Sequence, residues 1–142
     1  MSNILVDQLT GKTTDTTIDV FAGHAADSTT RTNLEQGLCK AFINMDGTTT
    51  GPTTRDSFNV GSVTDKAAND FALNFTNDFN NNDYTFCGSA SSSGNSTAWV
   101  SGPPSMTESE FATDSLNIFT SYQNSLGAEY TYTTCNVFGD LA

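Results

Sequence analysis

Few side chains in this sequence can do chemistry, and they are scattered. His24 is the single histidine. A Ser-His-Asp or Cys-His nucleophile system would have to use it. It stands among small residues, Ala22-Gly23-His24-Ala25-Ala26, with no nucleophile motif beside it, and reads as part of a solvated linker. Cys39, Cys87 and Cys135 are equally spaced, 48 residues apart, without a CxxC pair. Tyr84-Thr85-Phe86-Cys87 resembles Tyr132-Thr133-Thr134-Cys135, but nothing around Cys39 does. Buried structural thiols therefore fit better than a repeat or a zinc site, which needs three or four locally spaced ligands. Asp78-Phe79-Asn80-Asn81-Asn82-Asp83 imitates a calcium loop, yet Asp83 stands where the sharp turn needs glycine. Ser89 stands where the bidentate glutamate belongs, so a solvated Asx turn is the reading. Glu108 and Glu110 share a face if extended, without a context that would split their pKa values. The sequons at Asn74 and Asn95 arise in an Asn/Thr-rich background. Trp99 follows a Ser/Asn-rich run and precedes Gly102-Pro103-Pro104. It is the one aromatic placed to contact a sugar ring or other receptor group, with core packing as the competing reading.

The elements that position these groups are short strands. From Leu38 to Phe86 apolar residues recur at every second position, separated by Thr, Ser, Asn, Asp and Gly, which is the pattern of half-buried antiparallel strands. Leu38, Phe42 and Met45 also fit a helix, but Gly37 and the alternation of Cys39, Ala41, Ile43 and Met45 favour a strand over 38–45. A Thr-rich loop should then run through Gly51-Pro52. Phe58 and Val60 begin the next strand, with a bulge at Gly61 before Val63. A polar turn is expected over 65–70. Phe71, Leu73 and Phe75 alternate cleanly, and Tyr84 and Phe86 continue the meander. Together with Phe58 these aromatics are expected in the core. Residues 88–97 read as an exposed low-complexity loop. Leu116, Ile118 and Thr120 share a face with Phe119 opposite, and the last strand covers 130–138. The fold class is all-β, an antiparallel β-sandwich of jelly-roll-like form.

Residues 1–36 differ from the 37–142 domain. Ile4 and Val6 alternate, as do Ile18 and Val20, with Leu9 before a polar turn. Such strands are too short to stand alone, so Ile4, Val6, Leu9, Ile18 and Val20 are expected to make anchoring or oligomer contacts. A short helix is predicted over 28–36, with Thr32 and Glu35 as a capping box.

The 142 residues carry a formal charge of −11, and only five are cationic (Lys12, Arg31, Lys40, Arg55 and Lys66), none adjacent to another. Without a basic patch, nucleic acid and anionic membrane surfaces are excluded as partners. Met1 to Leu9 has neither a basic n-region nor an apolar run, so synthesis in a cytoplasm without a signal peptide is expected, as is the absence of membrane insertion. The apolar fraction of 36% makes a thin core, which favours oligomerisation.

Five stretches carry a family resemblance: Gly37-Leu38-Cys39-Lys40-Ala41-Phe42-Ile43-Asn44-Met45-Asp46-Gly47-Thr48, Arg55-Asp56-Ser57-Phe58-Asn59-Val60, Ser62-Val63-Thr64-Asp65, Asp70-Phe71 and Asn74-Phe75-Thr76. They resemble the tail-fibre-like and other virion surface structural proteins of marine tailed phages, cyanophages in particular. The opening Asn3-Ile4-Leu5-Val6-Asp7 and the ending Val137-Phe138-Gly139-Asp140 look similar as well, whereas 88–130 matches little. Phe42 replaces the usual Trp and Cys39 the usual Ala, changes expected to conserve burial. The resemblance implies a homotrimeric virion component on tail or capsid exterior, without catalytic residues or cofactor. It would dock on other virion proteins through its amino-terminal segment and meet a host surface glycan or protein through its variable loops.

Overall fold

In the computed structural model, residues 19–21, 31–33, 37–49, 51–92, 96–102, 110–122, 126–127 and 129–142 are described. The chain divides into two compact units, Met1–Leu38 and Cys39–Ala142. In the first, β1 (Asp19–Phe21) pairs antiparallel with β2 (Arg31–Asn33), Val20 lying opposite Thr32. The helix predicted over 28–36 is therefore corrected at its centre. Thr32, its expected N-cap residue, is a β-branched residue in the middle of a strand, where ladder bonding overrides a weak capping signal. Ile4, Val6, Leu9 and Ile18 lie outside the described residues.

The second unit is all-β and antiparallel, as its alternation predicts. Its strands are β3 (Ala41–Asp46), β4 (Thr53–Phe58), β5 (Val60–Ala67), β6 (Asp70–Phe75), β7 (Thr85–Ser92), β8 (Ser96–Ser101), β9 (Ser115–Tyr122), β10 (Leu126–Gly127) and β11 (Tyr132–Phe138). Pairing runs in the order β4-β3-β11-β7-β8-β9-β6-β5, with β10 on β9. The inward residues of β3 (Ala41, Ile43, Met45), β6 (Phe71, Leu73, Phe75), β9 (Leu116, Ile118) and β11 (Cys135, Val137) belong to one buried cluster. The ribbon therefore closes on itself into two four-stranded antiparallel halves, consistent with a β-sandwich. Because β11 returns beside β7 of the β7-β8-β9 meander, the order contains a Greek key. It departs from the jelly roll expected. There the second strand pairs with the seventh, whereas here the second (β4) pairs with the first (β3) and the third (β5) with the fourth (β6).

Two segments depart from what local composition predicts. Residues 53–57, expected within or beside a loop, form most of β4, and the chain then crosses between halves at Asn59, which adopts φ 55°. Residues 88–92 and 96–97, expected as loop, extend β7 and β8 because β11 supplies a partner from Tyr132 to Phe138. The bulge predicted at Gly61 is present, between Val60 and Ser62. Further register shifts follow Asn44, at the β3–β4 pairing, and Asp65, at the β5–β6 pairing. Both end strands of the order are thus bulged and carry charge (Arg55 and Asp56 on β4, Asp65 and Lys66 on β5), which blunts edge-to-edge association.

Candidate functional site

The outward face of the β4-β3-β11-β7 half is the most distinctive surface. On β3 the inward Ala41, Ile43 and Met45 alternate with half-buried Phe42, Asn44 and Asp46. On β11 the inward Thr133, Cys135 and Val137 alternate with Tyr132, Thr134, Asn136 and Phe138. Register therefore aligns a row Cys87, Asn136, Phe42 and Phe58, and beside it a row Ser89, Thr134, Asn44 and Asp56.

Two aromatic rings stand open on this face. Phe58 is 52% exposed and Tyr132 50%. The core role expected for Phe58 is corrected: it ends β4, the outermost strand of its half, with Phe42 as its cross-strand partner. The two rings stack with centroids 6.2 Å apart. Phe42, expected to be buried, is half-buried on this outer side. Across the face, the Arg55 guanidinium lies 4.6 Å from the centroid of Tyr132. It also pairs with Asp46 at 2.9 Å and donates to the Thr131 carbonyl. The bulge opposite Arg55 makes this possible by turning an extra β4 residue towards Asp46. The Asp46 carboxyl is held below its usual pKa, first by the Thr48 hydroxyl and backbone N–H and then by Arg55. Each of these contacts is modest in water, but together they fix the orientation of Tyr132.

The other candidates disperse. Trp99 sits in β8 opposite Ser89 and Ser121, in register with the second of these rows and two strands from β11. His24 and Glu108 lie outside the described residues. In the Asp78–Asp83 run, Phe79 is buried and Asn81 caps the N–H of Asp83 at 2.9 Å, an Asx turn around a core anchor. Among the described residues no cluster of three His, Cys, Asp or Glu side chains is arranged to hold a metal ion. Glu110 accepts a hydrogen bond from the Asn117 amide and faces Lys66 at 3.7 Å. The Asn74 amide donates to Ser62 and Thr64 at 3.1 and 3.0 Å, so this sequon asparagine is engaged in a polar ladder.

The thiols split by register. Cys135 is buried as expected, Cys39 is partly buried, and Cys87 is exposed, correcting the expectation of three buried thiols. Cys87 faces outward because it pairs with Asn136, one residue out of phase with buried Cys135. Burial, with lesser contributions from Cys87 and Cys39, pushes the Cys135 thiol up to about 12. Native protein should thus be alkylated at Cys87 within minutes, and at Cys135 only on unfolding. Peptide mapping of pulse-labelled protein reads this directly, and equal labelling of the two would contradict the register. Since folding favours the neutral Cys135 thiol, its contribution to stability is complete below about 9 and is lost as pH rises towards 12.

No family model, no curated protein and no solved structure matches the chain. The aromatic face was not legible as a site in the sequence. The only available signal was Arg55-Asp56-Ser57-Phe58 itself, a charged and aromatic run beside a turn.

Proposed function

We propose that this chain is a bacteriophage virion structural protein: a non-enzymatic, tail-fibre-like surface module that works as a homotrimer and contributes to host attachment. The observation that carries the reading is the aromatic face, where Phe58 and Tyr132 are open and held in place on a rigid antiparallel sheet. Large apolar rings left open on a well-ordered face mark contact surfaces. The family resemblance over 37–76 covers β3 to β6 and includes Phe42, Arg55 and Phe58 of this face. The acidic, weakly charged composition suits packing among protein neighbours and disfavours nucleic acid. Among the described residues no helix is long and apolar enough to cross a membrane.

In this reading the aromatic face seals contacts between copies. The amino-terminal segment, with Ile4, Val6, Leu9, Ile18 and Val20, docks on other virion proteins. Trp99 and the chain around 88–115 meet a host glycan or protein. The second reading places the same module on the phage head as a capsid decoration or head fibre.

Light scattering should give three times the chain mass. The double substitution Phe58→Ser with Tyr132→Ser should release monomer while costing under about 1 kcal/mol of fold stability, because both rings are half in water. A wild-type monomer at micromolar concentration would sink the trimer. Electron microscopy of particles carrying a labelled copy should show label on tail or head exterior, and particles lacking the protein would sink the virion assignment.

A further inference from the structure

We propose that Lys66, Glu110 and Asn117 form an intramolecular isopeptide site, in which the lysine side chain is joined to the asparagine side chain with loss of ammonia. The three residues meet at one atom. Lys66 Nζ lies 3.7 Å from Glu110 Oε2, and Asn117 Nδ2 donates to that same Oε2. A single carboxylate oxygen is thus hydrogen-bonded to the amide nitrogen that would leave and ion-paired with the amine that would attack. Shortening the ion pair by about 0.5 Å brings the amine within proton-transfer reach of that oxygen.

The fold determines this meeting. Phe111 bridges antiparallel to Leu116, and the Ala112 N–H donates to the Ser115 carbonyl at 3.0 Å. This tight return places Glu110 directly across from Asn117, one step further along the same ladder. Asn117 faces outward between buried Leu116 and Ile118. On β6, the strand between β5 and β9, the residue opposite Asn117 is Ala72, which also lies opposite Thr64. A methyl group there leaves the face low, so that the Lys66 and Asn117 side chains, on strands about 9–10 Å apart, can lean towards each other over it. Lys66 itself occupies the register shift between Asp65 and Ala67, which frees it from a direct partner on β6. The Glu110 side chain is 19% exposed and that of Lys66 38%, so the carboxylate is shielded while the amine remains free to approach.

The reaction needs no oxidant, metal or further reactant. Glu110 takes a proton from the Lys66 ammonium, and the freed lone pair attacks Asn117 Cγ. The proton passes to Nδ2, the Cγ–Nδ2 bond breaks with its electron pair going to nitrogen, and a second Nζ proton follows by way of Glu110. The products are a secondary amide between Lys66 and Asn117 and one ammonium ion. The new bond ties β5, an end strand of the order, across β6 to β9. This inference stands apart from the virion assignment.

The test is the intact mass of the purified full chain after incubation at neutral pH. Most of the protein should be lighter than its sequence by one ammonia, and proteolysis should yield a branched peptide containing Lys66 and Asn117. Lys66→Arg keeps the ion pair but lacks the nucleophile, so it should show the full sequence mass with a native circular dichroism spectrum. Asn117→Ala and Glu110→Gln should also keep the full mass. Folded wild-type protein that retains its full sequence mass overturns the proposal. So does an ammonia loss that maps to another asparagine or persists in Lys66→Arg. Because the first reading uses the unmodified chain, it holds even if a variant fails to fold.

Discussion

Replacing Phe71 with alanine should lower the unfolding free energy by about 3–5 kcal/mol, a large part of the ~5–15 kcal/mol that holds a domain of this size together. Phe71 is fully buried on β6, and its ring reaches across to the end of β3, where a Cβ added to Gly47 would lie 3.0 Å from the ring edge. It therefore spans the two halves of the sheet. Removing it opens a cavity in the buried cluster it shares with Leu73 and Ile118, and a close-packed interior relaxes only partly into such a space. Urea titration would report a lower midpoint at unchanged slope. Phe71→Leu should cost clearly less, and Phe58→Ala, on the open face, less than about 1 kcal/mol. A loss below about 1 kcal/mol for Phe71→Ala would mean that the halves do not share a core.

Gly88→Ala should be nearly as damaging, for the opposite reason. Gly88 lies in β7 opposite Cys135, and a Cβ there would overlap the Thr134 carbonyl oxygen and come within 2.9 Å of Val100 Cβ. The first obstacle is backbone locked in the β7–β11 ladder, so no rotamer change relieves it. A cost of about 3 kcal/mol or more is expected, at the upper end for a single added methyl. Gly37→Ala provides the control. Nothing lies within 4 Å of its added Cβ, so its effect should stay within about 0.5 kcal/mol. Thermal melts of the two variants side by side would separate the cases, and equal melting temperatures would contradict the close approach of β7, β8 and β11.

These two residues show where sequence reading succeeds and where it stops. Phe71 stands in a clean alternation with Leu73 and Phe75, and the structure buries all three. Leu116, Ile118 and Thr120 likewise face inward as their spacing predicts, with Phe119 on the other side. Gly88, by contrast, opens a Gly/Ser run that looks like loop. It is strand because β11, almost 50 residues later, needs a thin neighbour where the two halves of the sheet join. Tyr84 makes the same point. Its aromatic character suggested core, but its buried hydroxyl, 3.0 Å from the carbonyls of both Ala112 and Ser115, also holds the turn before β9. Burial raises its pKa and keeps it a donor.

The candidate sites were less legible. Phe58 alternates with Val60 and so looks inward by period alone. Asn59 at positive φ breaks that phase and leaves the ring outside. Glu110 was visible beside Glu108, but nothing local links it to Lys66 or Asn117, which lie on strands separated by β6.

The sequence by itself determined the class of fold, the inward faces of β3, β6, β9 and β11, and the scarcity of catalytic side chains. Those properties follow from residue type and a period of two, which are local. Tertiary structure alone decided the strand order, the outward turn of Phe58, Tyr132 and Cys87, and the convergence of Lys66, Glu110 and Asn117 on one oxygen. Each depends on which strands pair and in what register. Register is fixed by bulges and by partners distant in the chain, and a shift of one residue exchanges inside for outside.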